Sequence, residues 1–240
     1  MRPSGIEPSV QAWVRAAGLA YLVIIACGLF GEMGVREALV DWNDAAATAH
    51  HLRAEAGLWR LGVATDLLMH LCDVLVFVVL YLVLRIVNRP LALVALTANI
   101  VQTAVLAASK LFLLAPLFLL ADKGYLAALA AGQAEALALV ALRLHGHGFA
   151  IGLIFFGVTC LAEGHLIRRS GFLPRLLGVG MQVAGACYIV NSFALILSPP
   201  LAARLFPLIL LPPFLAELAF AAWLLVKGVD VAKWRAAASA

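Results

Sequence analysis

Six stretches of about 20 mostly apolar residues run through this chain, and they restrict its fold more than any other feature. A helix needs about 20 such residues to cross the hydrocarbon core of a bilayer. The stretches extend from Val14 to Met33, Leu61 to Leu84, Leu91 to Leu114, Leu137 to Ile167, Leu176 to Leu197 and Pro207 to Val226. Pro116, just beyond the third, is placed to end or kink that helix. The expectation is all-α: a polytopic membrane bundle of about six transmembrane helices, forming a single integral-membrane domain over residues 1–240. Composition points the same way. Hydrophobic residues make up 65 % of the chain and charged residues 12 %, against about half and a quarter in soluble domains. A soluble fold would have to expose much of that apolar surface, which soluble monomers avoid. A soluble enzyme, a disordered chain and a small secreted disulfide domain are therefore excluded.

The net charge of +4 belongs to short loops beside the apolar stretches. No basic stripe is interleaved with aromatics, so nucleic acid is not an expected partner; the lipid bilayer is. Arg2, Arg15, Arg85, Arg89, Arg168, Arg169, Arg175, Lys227, Lys233 and Arg235 fall on one side of a six-span arrangement. Arg36, Arg53, Lys123 and Arg204 fall on the other, mixed with Glu37, Asp41, Asp44, Glu55 and Asp122. The excess of basic residues marks the first side as cytoplasmic. Both termini then lie inside, and the expected location is the inner (plasma) membrane.

The first stretch follows Arg2 and Arg15 and contains Ile24-Ile25-Ala26-Cys27, which resembles a lipoprotein cleavage box. The leader before it is long, however, and the apolar run continues through Leu29 and Phe30, so it reads as a retained span. Cys27, Cys72, Cys160 and Cys187 lie inside apolar runs, form no C-x-x-C, and read as packing thiols. Two outer loops look structured. Asp44 to Gly57 reads as a short helix capped by Asn43 or Asp44, lying on the membrane surface or closing the bundle. Tyr125 to Leu137 reads similarly. Gly148, Gly152, Gly157, Gly178, Gly180 and Gly185 mark close helix contacts.

Ionisable residues within a bilayer are costly and persist where they pair, line water or carry a function. Asp66, His70 and Asp73 are spaced i, i+4, i+7 on one face of the second span. Asn99, Gln102 and Lys110 form a stripe on the third. Depth counting at 1.5 Å per residue puts Asn99 and Gln102 level with Asp73 and His70, and Lys110 within reach of Asp66. Glu217 on the sixth span lies at the same mid-depth, and His145 is on the fourth, with Glu163 below it on the same face. Glu163, His165, Arg168 and Arg169 are expected at the inner interface, solvated or snorkelling.

Asp73, Asn99, Gln102 and Glu217, with His70 and His145, are expected to converge on one polar pocket, and the candidate ligand-binding residues are Asp66, Asp73, Asn99, Gln102, His145 and Glu217. Asp66 with Lys110 also reads as a plain interhelical ion pair, and Asn99 and Gln102 as interhelical hydrogen-bonding groups. His70 and His145 are the candidate metal ligands, or a haem pair. No catalytic motif such as H-E-x-x-H, G-x-S-x-G or a P-loop occurs, so no catalytic residue or cofactor is assigned. Three functions compete: binding or transport of a small or lipophilic molecule, a structural or accessory role without chemistry, and a metal- or haem-dependent intramembrane enzyme.

The chain resembles the bacterial integral-membrane family filed as domain of unknown function 4386. The resemblance rests on residues 44–96, 144–179 and, more weakly, 208–229. Within them lie the R-x-G-x-x-x-D-L pattern at Arg60, Gly62, Asp66 and Leu67, then Asp73, the Asn88 turn, His145, the R-S-G-F-L-P turn and Glu217. His70 stands where the family pattern has an apolar residue. The resemblance implies a membrane protein of six or so spans and no established activity.

Overall fold

Every apolar stretch is a helix in the computed structural model, which describes residues 10–121, 124 and 128–239. The spanning helices are α1 (Val10–Leu29), α4 (Ala56–Leu84), α5 (Arg89–Leu119), α6 (Gln133–Ser170), α7 (Arg175–Leu197) and α9 (Leu211–Val226). Shorter helices are α2 (Glu37–Leu39), α3 (Ala45–Ala54), α8 (Pro199–Leu205) and α10 (Val231–Ala238). No strand occurs among the described residues. Six helical segments, α1 counted with its extension to Leu39 and α9 with the turn before it, are long and apolar enough to cross a membrane.

The six spanning helices pack as a closed ring in the order α1, α4, α5, α6, α7, α9 and back to α1. Large apolar side chains such as Leu71, Leu111, Leu176 and Leu208 remain exposed on its outer surface, as a bundle in lipid requires. Inside, Tyr21, Phe77, Phe156 and Phe220 meet edge to face or tilted at the core. Helices α6 and α7 approach very closely. A Cβ on Gly164 would lie 2.5 Å from the Gly178 carbonyl oxygen, and one on Gly185 2.5 Å from that of Gly157. Only a missing side chain lets the two backbones approach so nearly.

Both described ends of the chain lie at one end of the ring. The Gln11 side chain donates to the Lys227 carbonyl at 2.7 Å and accepts from the Val229 N–H at 3.2 Å. Between them Gly228 turns with φ +68, a conformation that favours glycine. Helix α10, absent from the sequence reading, follows with Asp230 as its cap, and its Trp234 indole donates to the Val83 carbonyl at 3.1 Å.

The opposite end is covered. Asp44, one of the two expected caps, accepts from the Ala47 N–H at 2.9 Å and starts α3. Thr48, Ala49 and Leu52 of α3 are buried, and the helix packs against α4, α5 and α6, closing the bundle. The second expected outer helix falls partly on residues 125–127, outside those described; residues 128–132 are not helical, and the chain enters α6 directly at Gln133.

Helices α4 and α6 begin a turn or so earlier than expected, at Ala56 and Gln133, and two further boundaries depart in ways that bear on the interior. Helix α5 continues through Pro116 to Leu119, because the proline sits one turn from the end and few hydrogen bonds are forfeited. In the turn that the proline loosens, the Leu113 carbonyl accepts from the Trp59 indole at 2.7 Å. The first span does not end near Met33. It continues as a π-helical segment, Phe30–Arg36, and then α2. Arg36, expected in a loop, is thereby turned toward the bundle interior.

Candidate functional site

Two polar clusters and a third, isolated carboxyl group occupy the interior of the ring. The first cluster lies toward the α3 end. Asp66 is fully buried on α4, and one of its oxygens meets both the Arg36 guanidinium at 2.8 Å and the Lys110 ammonium at 2.9 Å. The π-helical segment, whose extra residue per turn re-aims side chains, delivers Arg36, and Arg36 also pairs with Glu32 at 2.7 Å. The expected Asp66–Lys110 ion pair is therefore present, with a second cation that depth counting assigned to a loop. Lys110 also lies 5.6 Å from the centre of the Phe149 ring. On α6, His145 contacts the Ser109 hydroxyl at 3.4 Å and the Ser109 carbonyl at 3.3 Å through Nδ1.

The second cluster lies deeper, around a cavity of about 270 Å³ to which all six spanning helices contribute wall residues. His70 and Asp73 of α4, Gln102 of α5 and Glu217 of α9 line it, together with Tyr21, Phe149, Phe156, Tyr188 and Phe214. On the α1 and α9 side the wall includes Leu29 and Phe214, which are exposed. The volume is near the lower end of that of small-molecule pockets, about 300 Å³.

Each carboxyl group in this wall is held by neutral donors. Asp73 Oδ2 accepts from the Thr103 hydroxyl and, at 3.2 Å, from the Asn99 amide, which also donates to Gln102 Oε1 at 3.0 Å. Glu217 accepts from the Tyr188 hydroxyl through Oε1 at 2.5 Å and from the Tyr21 hydroxyl through Oε2 at 3.1 Å. His70 is 5 % exposed, and its Nε2 has no hydrogen-bond partner. The wall thus presents two carboxyl acceptors beside the Gln102 amide, and among the described residues no lysine or arginine lines it.

Sequence reasoning placed Asp73, Gln102 and Glu217 together, and the structure sets all three on one cavity with His70. Asn99 stands behind the wall and orients Asp73. Asp66 and His145 do not line the cavity; they belong to the outer cluster. The expected metal ligands are split accordingly, with His70 in the wall and His145 on Ser109. Among the described residues, no group of three histidine, cysteine, aspartate or glutamate side chains is arranged to hold a metal ion. His70 and His145 do not share the cavity wall.

Depth counting missed Thr103, Tyr21 and Tyr188, although a tyrosine at mid-span is itself a signal that its hydroxyl has a partner. It also misplaced Glu163. That residue is 2 % exposed rather than interfacial, and its Oε2 has no hydrogen-bond partner. It borders an apolar gap, walled by Phe77, Leu80 and Leu84, that is too narrow for a water molecule. Helix α6 is 38 residues long, more than a bilayer requires, and its Glu163 turn stays inside the ring. Its neighbours Arg168 and Arg169 do reach the surface, as expected.

Compared with known proteins, the chain matches the family described as Domain of unknown function (DUF4386) over residues 16–228. It belongs to this family. The match runs from the second turn of α1 to the glycine turn after α9, so every spanning helix of the ring is part of the shared pattern. A protein of Archaeoglobus fulgidus, described only as uncharacterized, is 30 % identical over 78 residues, 32 % of this chain and 44 % of that protein. The chain therefore spans less than half the length of this relative. No solved structure matches the chain.

Proposed function

We propose that this DUF4386 protein binds a small lipophilic molecule in the central cavity and passes it within or across the membrane. The observation that carries the reading is a cavity of about 270 Å³, apolar and aromatic over most of its wall, with His70, Asp73, Gln102 and Glu217 at a few points. That is the build of a small-molecule site, where apolar walls supply affinity and a few polar groups fix orientation. Asp73 and Glu217 serve as the ligand-binding carboxyls, Asn99 positions Asp73, and the Asp66 and His145 cluster braces the helices above. The exposed Leu29 and Phe214 give a route from lipid between α1 and α9. The host membrane is the plasma membrane with both termini in the cytoplasm, which is supported by the basic residues gathered at the terminal end, among them Arg85, Arg168, Arg175 and Lys233.

The test uses the purified protein in neutral-lipid nanodiscs, with a panel of small lipophilic compounds and thermal unfolding as the readout. Gly28→Phe is the blocked control. Gly28 lines the cavity, and a Cβ there meets only the Met69 sulfur at 3.5 Å, so a ring can be built into the space. Compounds that raise the melting temperature of the unaltered protein and not of Gly28→Phe support the reading. Equal shifts in both proteins, or none in either, remove it.

A further inference from the structure

The geometry points to a lipophilic ammonium as the occupant of the cavity: an organic amine in its charged form, with Asp73 and Glu217 as counter-charges and the aromatic wall against its carbon skeleton. This deepens the cavity-binding reading and rests on it.

Three independent features converge. The charge-bearing groups of the wall, Asp73 and Glu217, are acceptors, and the Gln102 amide is the neutral donor beside them. Asp73 and Glu217 each accept two hydrogen bonds from neutral donors, whereas an ionised carboxylate offers about four acceptor sites. The hydroxyl and amide donors orient each carboxyl group and leave capacity for a ligand.

His70 Nε2 is buried on the wall without a partner. A buried polar atom in that state is costly unless something fills its bonding capacity. An unprotonated imidazole nitrogen accepts a hydrogen bond, and an ammonium group carries up to three N–H donors. His70 and Asp73 are three residues apart on α4 and both line this wall, so a small turn of the His70 ring would bring Nε2 to a donor group held by Asp73.

The remaining wall is suited to a cation on a carbon frame. Tyr21, Phe149, Phe156, Tyr188 and Phe214 contribute rings, and aromatic faces attract cations, most strongly when both are desolvated. Arg36 and Lys110 are committed to Asp66 outside the wall, so among the described residues no lysine or arginine competes for the two acids. An anionic ligand would find no charged donor there.

Three probes with one skeleton decide the matter: 4-phenylbutylamine, 4-phenylbutan-1-ol and 4-phenylbutanoate. Each is titrated against the protein in phosphatidylcholine nanodiscs, with empty nanodiscs subtracted. The amine is expected to bind about tenfold or more tighter than the alcohol, and the acid weakest. In the Asp73→Asn, Glu217→Gln double variant that preference should fall severalfold, and Gly28→Phe should abolish saturable binding. Alcohol or acid binding as tightly as the amine overturns the ammonium assignment while the cavity reading stands. An amine preference that survives in the double variant overturns it as well. If none of the three binds saturably to the unaltered protein, both readings fall. Should the double variant not fold, the ranking of the three probes in the unaltered protein decides.

Discussion

The Tyr188 hydroxyl donates to Glu217 at 2.5 Å, joining α7 to α9 at the wall of the central cavity. Tyr21 reaches the other oxygen of the same carboxyl group from α1 at 3.1 Å. Glu217 therefore closes the ring, since α9 stands between α7 and α1 and is bonded to both. Interhelical hydrogen bonds in membrane proteins contribute about 0.6 kcal/mol each, up to about 1.7. Tyr188→Phe and Tyr21→Phe should each lower stability by roughly that amount in reversible unfolding from mixed micelles. A double-mutant cycle of Tyr188→Phe with Glu217→Leu should return a coupling energy of the same size. Zero coupling would show that the short contact contributes nothing to holding the helices.

The outer cluster should respond asymmetrically. Removing Lys110 as Lys110→Met leaves Asp66 paired with Arg36. Removing the carboxylate as Asp66→Ala leaves Arg36 and Lys110 inside the bundle, with only the half-exposed Glu32 near Arg36. Stranding a buried charge costs about 3–5 kcal/mol, so Asp66→Ala should be much the more destabilising of the two. Equal losses would mean that Arg36 does not share the carboxylate in solution.

The α6–α7 contact leaves no room for side chains. In Gly164→Ala the new methyl group would press on the Gly178 carbonyl at 2.5 Å, which is backbone and cannot swing away. Overpacking of this kind costs about 1–3 kcal/mol. Gly146→Ala, on the same helix but with nothing within 4 Å of a Cβ, should be neutral or stabilising by up to about 1 kcal/mol. Thermal unfolding of the two variants side by side gives the comparison.

Helix α10 gives a pH dependence outside the membrane. The Lys233 backbone N–H donates to the Asp230 carboxyl at 3.1 Å and, with the Lys233 ammonium, holds it below the usual aspartate range. The stabilisation is present above the unfolded-state value, about 3.9, and is lost as the pH falls through the lower folded value. Trp234 fluorescence should report undocking of α10 in that acid window, and Asp230→Asn, whose amide oxygen still caps, should remove the dependence on pH without the undocking.

Much of this was legible in the sequence for a simple reason. Depth and facing follow from helical rise and twist, so Asp66 with Lys110, and Asp73 with Asn99, could be matched by counting along α4 and α5. What counting cannot see is a change of helical pitch or the order of helices round a ring. The π-helical segment carried Arg36 inward from an expected loop position. The ring order put Tyr21 and Tyr188 on either side of Glu217 and left His145 beside Ser109, away from the cavity. Glu163 was misjudged because α6 is longer than a bilayer requires, so distance from its end overestimated exposure.

Glu163 is also the sharpest contrast with Glu217. Both are buried carboxyl groups, but Glu217 has a hydrogen bond on each oxygen, whereas Glu163 Oε2 has none and faces a gap with no space for water. A buried polar atom without a partner costs about 1–3 kcal/mol, and an apolar side chain of similar length removes that cost. Glu163→Met should therefore raise stability by about 1 kcal/mol or leave it unchanged, while Glu217→Met, which strands two tyrosine hydroxyls, should lower it. Unfolding of the two methionine variants under identical conditions measures the difference. A large loss in Glu163→Met would mean that the carboxyl group has a partner in the membrane, such as a bound ion or a water chain, that offsets its burial.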